Sequence, residues 1–106
     1  MADHELAERL AGLASRVDNL MHLTIGEDSR TLEDQQDRLV KLALVAIARD
    51  MDATNKKYQS AVTRVRAASD AIGDADKRIQ NVAEIIGLVA KALDAAEGLL
   101  KKAALG

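Results

Sequence analysis

The sequence predicts an all-α fold, and three observations carry that prediction. Pro is absent from all 106 residues, so no interior position forbids a helix. Phe and Trp are absent too and Tyr58 is the one aromatic residue, which removes most of the side chains that favour strands. Apolar residues, mostly Ala, Leu, Val and Ile, make up 48% of the chain and recur at intervals of three and four. At this length one domain is expected, over residues 1–106. The expected form is an antiparallel helical hairpin or three-helix bundle with a long middle helix and coiled-coil-like packing.

The first helix is expected over about residues 3–24. Leu6, Leu10, Leu13, Val17 and Leu20 form its apolar seam. Asp3 is the expected N-cap, and Glu5 and Glu8 put negative charge at the positive end of the helix dipole. Gly26 is the expected stop, since glycine takes the left-handed conformation that ends helices.

A second helix is expected from Thr31 to about residue 70, with Asp34 as a capping-box partner. Its centre, LVKLALVAIA (39–48), is apolar apart from Lys41 and needs cover on two sides. The stripe Val40, Leu44, Ile47 and Met51 runs on through Asn55, Tyr58, Val62 and Val65 without a Gly or Pro. A boundary near residues 50–55, capped by Asp52 or Thr54, is the alternative. One continuous helix of about 40 residues, roughly 60 Å long, is preferred.

The third helix is expected over about residues 75–104, after a turn at Gly73 between Asp70 and Asp74, with a stammer in one unbroken coiled coil as the alternative. It carries two apolar stripes. One runs through Ile79, Val82, Ile86, Val89, Leu93, Ala96 and Leu100, and the other through Ile85, Leu88, Ala92, Ala95 and Leu99. So wide an apolar face needs two neighbours, and a three-helix chain has few to offer.

Chemistry is hard to place. Without Cys there is no thiolate nucleophile or thiolate metal site. HELAER (4–9) opens like a zinc-protease helix but has Glu8 where the second His belongs. DMDATNKKYQSA (50–61) lacks the Gly and Glu of a calcium loop. Asp70, Asp74 and Asp76 are read as turn caps. No catalytic, cofactor-binding or metal-ligating residue is assigned, and the protein is expected not to be an enzyme.

Net charge is −2, which points to neither nucleic acid nor an anionic membrane. Residues 53–69 nonetheless hold Lys56, Lys57, Arg64 and Arg66 with no acid. Arg66 points away from Lys57 and Arg64 on a helix, so a phosphate-tracking groove is not expected. The N-terminus has no basic region followed by an apolar one, and a cytoplasmic location is the default expectation, with signal-less export as its rival.

The expected function is a non-enzymatic helical interaction or assembly protein. It would associate with itself, or with another helical protein, through Leu44 and Ile47 on the middle helix and Ile85, Leu88, Leu99 and Leu100 on the last. The rival expectation is a peripheral membrane or lipid-surface protein that acts through residues 83–106. Glu84, Lys91, Asp94 and Glu97 interrupt that stretch too often for a membrane span, and it has no aromatic anchor.

Overall fold

The computed structural model describes residues 5–47, 55–75 and 82–105. Those residues form four helices: α1 (Glu5–His22), α2 (Glu27–Ile47), α3 (Lys56–Ala75) and α4 (Val82–Leu105). The expected bundle is there, but it has four helices and not three. Asp3, Asp52, Thr54, Asp76 and Ile79, to which the sequence assigned caps or a core position, lie outside the described residues.

The long middle helix of the sequence reading is two helices. α2 ends at Ile47, and α3 begins at Lys56 behind Asn55. Asn55 is an N-cap: its Oδ1 accepts from the backbone N–H of Lys57 at 2.8 Å and, more weakly, from that of Tyr58 at 3.4 Å. A continuous 40-residue helix would exceed the molecule, whose longest dimension is 40 Å.

α1 packs against α2 and α3, and α4 packs against α3 and α2. The cyclic order is therefore α1, α2, α4, α3, with α2 and α3 on a diagonal although they follow each other in the chain. α1 and α3 run parallel, because Leu6 meets Tyr58 and Arg16 meets Ser69. The molecule is a pair of antiparallel hairpins, α1–α2 and α3–α4, laid side by side.

Boundaries differ from the sequence reading for local reasons. Gly26 does adopt a positive φ of 72°, but its carbonyl accepts from the N–H of Arg30 and so opens α2. The end of α1 is closed earlier, by backbone bonds from Leu23 to Leu20 and from Thr24 to Met21. Thr31 is not a cap: it lies a turn inside α2, where its hydroxyl donates to the Glu27 carbonyl. Gly73 makes no turn, since α3 runs past it to Ala75. A Cβ at Gly73 would stand 2.9 Å from Nη1 of Arg16, which donates to the Ser69 carbonyl at 3.1 Å. The glycine leaves room for that guanidinium to cross α3.

The core is continuous along the bundle. α1 buries its predicted seam of Leu6, Leu10, Leu13, Val17 and Leu20. α3 buries Tyr58, Ala61, Val62, Val65, Ala68 and Ile72. α4 buries residues of both its stripes, among them Ile85, Val89, Leu93, Ala96 and Leu100, with Ile86, Leu88, Ala95 and Leu99 packed at their edges. Dividing the middle helix supplies the second neighbour that α4 needs.

α2 behaves differently. It turns Leu32, Gln35, Leu39, Ala43 and Ala46 inward, while the larger Val40, Leu44 and Ile47 face solvent. Two polar contacts tie it to α4. Gln35, only 4% exposed, donates its amide N–H to the Ile86 carbonyl at 3.0 Å. Arg38 donates from Nε to Glu97 Oε1 at 2.9 Å, and its Nη2 pairs with the same oxygen.

Candidate interaction surface

The six interface residues expected from the sequence fall into three groups. Ile85 and Leu100 are core residues, 2% and 3% exposed. Leu88 and Leu99 are half-buried and pack against the core. Leu44 and Ile47 stand out of the bundle, 64% and 57% exposed. This last pair is the most exposed of the six.

Leu44 and Ile47 belong to a longer stripe. Glu33, Asp37, Val40, Leu44 and Ile47 are spaced by four, three, four and three, so they share one flank of α2, and all five are exposed. Arg38 lies on the other flank, turned to α4. The stripe is acidic over its first half and apolar over its second, and spans about 21 Å along the helix. Val45, seven residues after Arg38, is exposed on the Arg38 flank. Neither Glu33 nor Asp37 makes an ion pair with another described residue.

A second feature lies on the opposite side of the bundle. An open groove of about 510 Å³ follows the seam between α3 and α4. Lys57, Ser60 and Arg64 line it from α3, and Lys91, Asp94, Ala95 and Leu99 from α4. Three cations face one carboxylate, over a floor that is partly apolar. Arg64 and Lys91 have no ion-pair partner among the described residues. The alignment of Lys57 with Arg64 is legible in their seven-residue spacing, but the approach of Lys91 depends on the α3–α4 register, which no sequence signal fixes.

Two further apolar side chains, Leu23 and Ile25, are exposed at the α1–α2 turn, at the far end of α2 from Ile47. The ring of His22 meets the backbone carbonyl of Asp18 on its own helix, at 2.7 Å from Nδ1. Among the described residues no cluster of His, Cys, Asp or Glu is arranged to hold a metal ion. No described helix is long and apolar enough to cross a membrane. No protein-family profile, curated protein or solved structure matches the chain.

Proposed function

We propose that the protein works by contact and not by chemistry, as a helical interaction or assembly protein. Its docking face is the outer flank of α2, through which it meets a second copy or another helical protein. The observation that carries this reading is the stripe Val40, Leu44 and Ile47, left in solvent although no described large apolar side chain of the other three helices is exposed. A fully buried side chain of this size gains about 1.5–3 kcal/mol over an exposed one, and covering the exposed part of three of them gains a few kcal/mol. That is too little for tight binding by itself, because association costs comparable freedom of motion. The contact is therefore weak or recruits neighbouring charges.

The geometry supports a lipid-surface role for residues 83–106 less well. Ile85, Val89, Leu93 and Leu100, which such a helix would offer to lipid, are within the core. Lipid binding would require the bundle to open.

A photo-activated cross-linking residue in place of Leu44, in the full chain expressed in cells, tests the reading. Discrete protein adducts that disappear when Ile47→Glu is added are the expected result. Adducts to lipid alone, or no adducts, would sink it.

A further inference from the structure

We propose that the partner is a second copy of the chain, and that the acidic–apolar flank of α2 seats in the α3–α4 groove of the next molecule in the same orientation. This inference rests on the contact reading above and names its partner. Two surfaces of opposite chemistry lie on opposite sides of the bundle, since the α1–α2 edge and the α3–α4 edge face away from each other. One bears the carboxylates Glu33 and Asp37, unpaired among the described residues, above Val40, Leu44 and Ile47. The other bears Arg64 and Lys91, which also lack an ion-pair partner among the described residues, with Ala95 and Leu99 in its floor.

The order of these groups along the bundle axis matches as well as their sign. The contacts of Leu6 with Tyr58 and Arg16 with Ser69 set each α3 residue level with the α1 residue 52 or 53 positions earlier. Arg64 is therefore level with about Gly12 of α1, within a residue or so of helical rise. The α1–α2 turn lies between His22 and Glu27, so Gly12 is in turn level with about Asp37 of α2. The bonds from Gln35 to the Ile86 carbonyl and from Arg38 to Glu97 set α2 against α4 at separations of 51 and 59, and the middle of that range brings Leu44 level with about Leu99.

A simple sideways translation of one copy thus places Asp37 opposite Arg64, near Lys91, and Leu44 opposite Leu99. Lys57, at the apolar end, can lay its methylene stem along the incoming helix. Because the two surfaces are different patches, the contact is head-to-tail and leaves a free flank and a free groove on each assembly. The stripe is small beside the ~800 Å² per partner of a stable interface, so association is expected at micromolar concentrations and to weaken with salt.

Sedimentation equilibrium of the intact protein at low and high salt tests this, with two exposed-residue variants, Asp37→Arg and Arg64→Glu, whose helical content is checked first. The wild-type mass is expected to rise with concentration past that of a dimer, and each variant alone to associate at least about tenfold more weakly. An equal mixture of the two variants is expected to associate past a dimer again, because the native pair forms at one contact and the charge-reversed pair at the next. The double variant Asp37→Arg/Arg64→Glu, with both charges reversed, is expected to regain self-association.

A wild type that stays monomeric overturns the inference, as does a dimer plateau that neither variant disturbs. So does a mixture that remains monomeric. Monomeric sedimentation together with adducts from position 44 to a different protein overturns the self-contact alone. Absence of any protein adduct at position 44 overturns the broader contact reading with it.

Discussion

The phenol oxygen of Tyr58 accepts a hydrogen bond from the backbone N–H of Leu6 at 3.1 Å, across 52 residues of chain. The first amides of a helix have no partner within it. Leu6 is the second residue of α1, and its amide is answered by the one aromatic side chain in the protein, on α3. Both residues are buried, so the bond is sheltered from water. It holds the starts of α1 and α3 at the same end of the bundle and so fixes their parallel pairing.

Tyr58→Phe should fill the same space but leave the Leu6 amide buried without that acceptor. A loss of about 1–2 kcal/mol is expected, between the net value of a hydrogen bond and the full penalty of an unsatisfied donor. In a chain of this size that lowers the melting temperature by roughly 4–15 °C. Urea titration checks it: the midpoint should fall while the slope stays constant. An unchanged midpoint would mean that the amide finds another partner.

Asn55→Ala removes the cap of α3 and exposes two amide groups that its Oδ1 now satisfies. The expected cost is about 1 kcal/mol. Asn55→Asp should restore it, because a carboxylate accepts the same bonds and suits the positive end of the helix dipole. Thermal unfolding of the two variants side by side distinguishes a lost cap from a general disturbance of the segment.

The same region shows what the sequence could and could not convey. α1 was legible because size and burial agree there: its large apolar residues are its core residues. In α2 they disagree. The core stripe uses Ala43 and Ala46, while Val40, Leu44 and Ile47, which look like the stronger seam, face outward. That outward seam joins in unbroken phase to Tyr58, Val62 and Val65, which are core in α3. Periodicity alone therefore merges two helices that bury different faces. Asn55 carried the missing signal, because its short amide is suited to a cap, but within an uninterrupted apolar period it passes for a tolerated polar position. Once α2 and α3 were merged, α4 was short of a neighbour, and its buried Ile85 and Leu100 looked available to a partner.

Gln35 is the polar residue buried in the α2–α4 contact, and only half of its amide is engaged. Its Nε2 donates to Ile86, while its Oε1 accepts from no described residue. Gln35→Leu replaces it with an apolar side chain of similar volume, and the Ile86 carbonyl keeps its helical acceptor role within α4. The stability change is expected to be within about 1 kcal/mol and in the stabilising direction. Gln35→Ala, which leaves a void, should lower stability by contrast. Denaturant midpoints for the pair show whether this amide is kept for stability or for the pairing register of α2 with α4.

Leu10 and Leu44 give the clearest separation of folding from contact, because they are the same residue type in opposite situations. Leu10 is wholly buried in the seam of α1, and Leu10→Ala should cost about 2–5 kcal/mol, from lost transfer energy and the cavity left behind. Leu44 is 64% exposed, and Leu44→Ala should change stability by less than about 0.5 kcal/mol, as surface substitutions do. If Leu44→Ala unfolds at the wild-type denaturant midpoint yet reduces the rise of mass with concentration, the leucine serves association. If its midpoint falls as far as that of Leu10→Ala, Leu44 is packed within the bundle, and the flank of α2 is not a docking face.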